Sequence, residues 1–134
     1  MTVKADAEST ESQLSALEVQ LPPGVATPVH IHHREAEINY VLAGSMRFRC
    51  GDRELEAGRG AFIYLPMGVP HAFRSGDQGA TMLALTMPSG IERLYELVGR
   101  EAEERRLPDD PPEVPGWLQH APEFGIEVVA PPTA

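Results

Sequence analysis

Nine of the twelve glycines of this chain fall between Gly24 and Gly90. The segments they bound are short and rich in Val, Ile, Phe, Tyr and Leu. Glycine enters positive φ without a steric penalty, so this punctuation divides the chain into short strands joined by tight turns. The segments are 14–21, 29–32, 36–42, 45–50, 53–56, 61–65, 71–74 and 80–87. About eight strands is the number that builds a double-sheet jelly roll. Gly51-Asp52 separates two of them and suits the positive φ angles of a two-residue hairpin turn. The fold class expected is therefore all-β.

A length of 134 residues fits one domain, and 42% hydrophobic with 23% charged residues fits a globular one. No apolar run approaches the roughly 20 residues that span a bilayer. The N-terminus, MTVKADAESTESQ, is polar and acidic, without the basic start or apolar core of a secretory signal, which reads as cytoplasmic. A net charge of -9 repels phosphate backbones and anionic lipid, so neither nucleic acid nor membrane is an expected partner. The single cysteine, Cys50, rules out an internal disulfide and a thiolate metal cage.

After Met87 the apolar period lengthens to about 3.6, with Ile91, Leu94, Tyr95, Val98 and Ala102 on one face. Ser89 and Glu92 match a capping box, Glu96/Arg100 and Glu101/Arg105 are spaced as i,i+4 pairs, and Pro108 would end the helix. The apolar stripe is expected to pack on the outside of the barrel. A second short helix is predicted near 113–121, closed by Gly125, then an extended segment against the body or a neighbouring subunit. The organisation expected is one domain over 1–134, with the barrel core at about 14–87 and a helical tail at about 88–134.

Four of the five histidines lie within 42 residues. His30 and His32 are two apart, and a strand carries such residues on one face about 6.5 Å apart. Glu37 opens the next strand, and His71 follows the turn Pro66-Met67-Gly68-Val69-Pro70. All four side chains can reach one ion. His33 has the opposite strand parity from His32, and His120 has no motif around it, so both are read as lying outside the ligand set.

The spacing of these residues resembles the cupin superfamily, in particular small single-domain bacterial cupins of the quercetin-dioxygenase-like kind. The first motif runs Gly24, five residues, His30, one, His32, four, Glu37, six, Gly44. The second runs Gly60, five residues, Pro66, one, Gly68, two, His71, three, Ser75, with Ser where the family usually has Asn. Fifteen residues, 45–59, separate the motifs and leave room for the hairpin only.

The resemblance implies a double-stranded β-helix, the jelly-roll barrel, holding one divalent metal on His30, His32, Glu37 and His71. Three imidazoles and one carboxylate suit Fe, Mn, Ni, Co or Zn. An octahedral ion keeps two positions open for a small-molecule substrate and for water or dioxygen, and Glu37 can serve as the catalytic proton acceptor. Strand parity from the ligands turns Asn39, Val41 and Phe73 toward the pocket, with Met46, Phe48 and Phe62 or Tyr64 completing an apolar lining. Three functions fit: a metal-dependent dioxygenase acting on an enolic or aromatic molecule, a non-redox isomerase or polyketide cyclase, and a small-molecule-binding module without turnover. A homodimer is expected, because pairing covers open strand edges.

Overall fold

The computed structural model describes residues 1–102, 104 and 114–132. Its strands are β1 (Thr2–Ala5), β2 (Ser15–Leu21), β3 (Val29–His32), β4 (Ala36–Cys50), β5 (Arg53–Gly58), β6 (Phe62–Leu65), β7 (His71–Met87) and β8 (Ile126–Ala130). The helices are α1 (Glu92–Val98) and α2 (Val114–His120), the latter followed by a 3₁₀ turn at Ala121–Phe124. All pairings are antiparallel. The fold is the all-β jelly-roll barrel.

Four of the expected strands merge into two long ones. Segments 36–42 and 45–50 are one strand, β4, and segments 71–74 and 80–87 are one strand, β7. These two pair along their whole length, from Ala36 opposite Met87 to Cys50 opposite His71, and the register shifts near Gly44. One half of the pair joins β1, β2 and β6, and the other joins β5, β3 and β8. Thus each long strand serves both sheets and bends at its glycine. Gly44 has φ +73°, and a Cβ there would lie 2.1 Å from the Gly79 carbonyl oxygen. The glycine that looked like a strand boundary is the hinge within a strand.

Two strands lie outside the expected core. β1 is an exposed edge strand without apolar alternation, which hid it from periodicity. β8 is the extended segment expected after Gly125, and it docks beside β3 on the body of the same chain.

Helix α1 is shorter than its periodicity suggests. It stops at Gly99, which is extended (ψ 169°) and whose N–H returns to the Tyr95 carbonyl at 2.8 Å. Glu96/Arg100 is therefore not a helical pair, and Arg105 and Pro108 lie outside the described residues. The capping box does not form either. Ile91 is the N-cap, and the Glu92 carboxylate accepts from the Ala7 N–H at 2.9 Å, the Gly90 N–H at 2.8 Å and the Ser15 hydroxyl. Long-range partners take the carboxylate, which is buried and so must be satisfied. Ile91 and Leu94 belong to the same apolar cluster as Leu17, Val41, Met46, Phe48 and Leu65, so the helix extends the barrel core instead of packing on its outside.

Ser75, the departure from the family pattern, keeps a linking role. Its hydroxyl accepts from the Val25 N–H at 2.9 Å and donates to the Pro22 carbonyl at 2.6 Å.

The two motif glycines Gly44 and Gly60 are expected to respond differently to alanine. Gly60 has φ +85° but open space around its Cβ position, so Gly60→Ala should cost about 1–2 kcal/mol for backbone strain alone. Gly44→Ala adds a backbone clash and should cost roughly 2–4 kcal/mol. Urea unfolding of both variants checks the ordering, and equal losses would contradict the hinge assignment.

Candidate metal centre

The site is built where β3, β4 and β7 meet. β3 supplies His30 and His32, β4 supplies Glu37 near its start, and β7 opens with His71, which stands directly opposite His30 in the ladder. One potential ligand atom from each of the four lies within 4.8 Å of the others. Glu37 Oε2 is 3.4 Å from His32 Nε2 and 3.6 Å from His71 Nε2. The His32 and His71 rings stack at 5.1 Å, with His30 edge-on to His71 at 4.5 Å. All four residues are buried, and His71 is only 1% exposed.

The other nitrogen of each imidazole faces an acceptor. His30 Nδ1 donates to the Pro28 carbonyl at 2.8 Å, His71 Nδ1 to the Val69 carbonyl at 3.1 Å, and His32 Nδ1 to Glu35 Oε1 at 2.5 Å. With Nδ1 protonated by these contacts, the neutral ring carries its lone pair on Nε2, as a metal ligand requires. His71 Nε2 is buried and has no hydrogen-bond partner. A divalent cation fits this donor set: it satisfies the orphaned nitrogen and balances the carboxylate.

Electrostatics without an ion are those of a cation-accepting cage. Burial pushes His30 down to about 4, with the neighbouring His71 adding to the effect. Burial alone would raise Glu37, but attraction to His71 and His32 and the hydrogen bond from Asn39 outweigh it and hold the carboxyl at about 2. His32 is opposed by burial yet ends above its usual value, because Glu35 and Glu37 favour its charged form.

The two helices roof the site. Gly116 of α2 lies against the Val98 side chain of α1, where a Cβ would come within 3.6 Å. This seats Trp117 edge-on to His30 at 5.4 Å. Tyr95 of α1 is buried near the same site; burial and the charge of Glu37 push its phenol up to about 12, so it stays neutral.

The residues expected in the pocket are distributed as follows. Asn39 is fully buried and donates Nδ2–H to Glu37 Oε1 at 2.8 Å. Met46 and Phe48 lie further along β4 in the apolar core. Phe73 is partly buried against Phe48, with ring centroids 6.1 Å apart. Phe62 and Tyr64, in contrast, project outward at 62% and 54% exposure, because Ile63 and Leu65 take the inward parity of β6. His33 is exposed beside Glu127, and His120 pairs with Glu123. Sequence reasoning assigned no site role to Glu35, Thr86 or Tyr95, and the structure adds Trp117 beside His30. The H-x-H-x-x-E spacing is a local signal for Glu35; the other three reach the site only through tertiary packing.

The sequence model for the Cupin domain matches residues 17–87, and the chain belongs to that family. Among characterised relatives it is 23% identical over 109 residues to quercetin 2,3-dioxygenase of Bacillus subtilis, covering 81% of this chain and 32% of that protein. It is 32% identical over 75 residues to the oxalate decarboxylase OxdC of the same organism, covering 52% of this chain and 19% of that protein. The chain thus spans about a third or less of each of these two. The solved structure of KdgF from Halomonas sp. superposes with a TM-score of 0.62 at 18% identity, covering 69% of this chain and 82% of that one.

Two outcomes are expected from the cage. Trp117 is the sole tryptophan, so Co(II) bound beside His30 should quench the protein's fluorescence. His71→Ala should lower both the cobalt stoichiometry and the quench, and an unchanged stoichiometry would remove His71 from the ligand set. The second outcome concerns pH. His30 titrates near 6.5 when unfolded and near 4 when folded, so between these values the unfolded state binds the extra proton. Its contribution is full above pH 6.5 and is lost as pH falls toward 4, by roughly 3 kcal/mol at most. Urea unfolding of metal-free protein at pH 7 and pH 4.5 should show a smaller acid loss in His30→Gln than in the wild type.

Proposed function

We propose that this cupin is a metal-dependent dioxygenase-like enzyme acting on a small enolic or aromatic molecule. The observation that carries the reading is the inward set of three imidazole Nε2 atoms and one carboxylate, each imidazole held by an Nδ1 contact. The likeness to quercetin 2,3-dioxygenase supports the choice of oxygen chemistry. An ion held by His30, His32, Glu37 and His71 would supply Lewis acidity and, if redox-capable, a route for electrons between substrate and dioxygen.

The chain's own residues have separate roles. Glu37 is ionised and buried, with Asn39 donating to Oε1; Oε2, which faces the His32 and His71 imidazoles, is the atom that would take a proton from a substrate hydroxyl when not engaged by the ion. Asn39 orients the carboxylate, and Met46, Phe48 and Phe73 form the apolar floor of the pocket. Trp117 and Tyr95 shield the centre from water, which strengthens every electrostatic contact inside it.

A second reading is non-redox chemistry such as decarboxylation or isomerisation, favoured by the similarity to oxalate decarboxylase OxdC. Oxygen dependence separates the two. Oxygen consumption with enolic substrates, requiring iron, manganese, nickel or cobalt, is expected. Glu37→Gln should reduce the rate by about 10²–10⁴, the usual worth of a positioned general base. Product formed anaerobically with zinc would overturn the dioxygenase reading in favour of the second one.

The same proposal includes a homodimer. Tyr40 lies opposite Phe62 on the outer face of the sheet, and Leu42 and Tyr64 extend this exposed apolar surface, which a second copy would cover. Sedimentation at micromolar concentration should give twice the chain mass, and a monomer would reject this part of the proposal.

A further inference from the structure

Among the described residues, three buried side-chain polar atoms have no hydrogen-bond partner: His71 Nε2, Asn39 Oδ1 and Thr86 Oγ1. The first belongs to the metal cage. The other two flank Glu37. Thr86 stands directly opposite Glu37 in the β4–β7 ladder, and Asn39 is two residues along β4, so all three side chains share the inward face. Asn39 and Thr86 are both buried.

The orientation of the Asn39 amide is decided by its partner. Its Nδ2–H must donate to the Glu37 carboxylate at 2.8 Å, since a flipped amide would set two acceptor oxygens together. Oδ1 is therefore held outward from Glu37 as an acceptor with nothing to accept. Thr86 Oγ1 can donate or accept. Two uncompensated buried polar atoms beside the same carboxylate are costly, and a ligand group that satisfies them recovers that cost.

We propose that Asn39 Oδ1 and Thr86 Oγ1 form a hydroxyl-binding subsite beside the metal cage. It takes the O–H of a small molecule whose neighbouring oxygen reaches the cage. The ligand class is a compound with two adjacent oxygens, one of them a protonated hydroxyl, such as an α-hydroxy acid or an enediol. An ether or carbonyl at that position leaves Oδ1 unpaired and is disfavoured. This deepens the functional reading above and rests on its metal centre. A site built to pair a hydroxyl discriminates strongly against the analogue lacking it, because its own polar atoms are left without partners.

The test compares wild type, Thr86→Val and Thr86→Ser, each loaded with Co(II) and titrated with glycolate, methoxyacetate and acetate by cobalt absorption. Cobalt content, read first, should be near one equivalent in all three. The wild type should prefer glycolate to methoxyacetate. Thr86→Val should weaken glycolate binding about tenfold, the factor one hydrogen bond of ~1.4 kcal/mol carries, with acetate affinity unchanged, because Thr86 Oγ1–H donates to the ligand oxygen whose proton Asn39 Oδ1 takes. Thr86→Ser should retain the glycolate affinity. Metal-free Thr86→Val should unfold at a temperature no lower than the wild type, because the lost hydroxyl serves a ligand and not the fold. An unchanged glycolate affinity in Thr86→Val would overturn the subsite and assign hydroxyl recognition to the ion. A clear loss of stability would also overturn it, in favour of a structural water on these two atoms. Absence of cobalt from the wild type would reject the metal centre and the subsite together, and the cobalt content marks that case apart from the others.

Discussion

The β4–β7 ladder is the interaction on which the rest of the molecule depends. It runs from Ala36 opposite Met87 to Cys50 opposite His71 and passes from one sheet to the other at Gly44. Because the two strands are shared, a single register sets which side chains face inward in both sheets. It places Glu37 opposite Thr86 and puts His71 at the head of β7, opposite His30 of β3. A slip of one residue would turn every one of these side chains to the other face. The close approach of Gly44 to Gly79 pins that register, since no side chain fits between them.

Burying three imidazoles and a carboxylate is unfavourable unless each finds partners. The protein meets this with acceptors placed behind the rings. Two are backbone carbonyls, Pro28 and Val69, which precede His30 and His71 by two residues in the chain; the third is the Glu35 carboxylate. Short local contacts therefore orient the rings, while the long-range ladder brings them together. The Glu92 carboxylate performs a similar service at the barrel edge. It gathers the Ala7 and Gly90 N–H groups and the Ser15 hydroxyl, and so fixes the start of the helix that carries Tyr95.

The family motif marks the candidate ligands and the turns, and the roof over them is built by helices that follow the motif region. Tyr95 and Trp117 come from helices outside the matched residues 17–87. They meet over the cage because Gly116 lets α2 approach Val98 of α1. Relatives named as a dioxygenase and a decarboxylase match the same barrel, so the barrel and its four side chains do not by themselves fix one reaction.

Much of the fold was legible in the chain because its signals are local. Glycine-bounded apolar segments marked strands, Gly51-Asp52 marked the hairpin, and the two motifs placed His30, His32, Glu37 and His71 in the positions from which β3, β4 and β7 bring them together. The sequence by itself determined residue chemistry and which residues of a strand share a face, since both depend only on neighbours along the chain. It misread the end of α1, because Gly99 closes a helix whose apolar period continues beyond it, and it assigned Glu92 to a cap although distant donors claim that carboxylate. It turned Phe62 and Tyr64 inward, because parity within β6 depends on which face packs on the core. Tertiary structure alone decided that Gly44 bends one strand and does not end it, that Thr86 stands against Glu37, and that Trp117 covers His30. Register and packing are relations between segments far apart in the chain, and no local pattern encodes them.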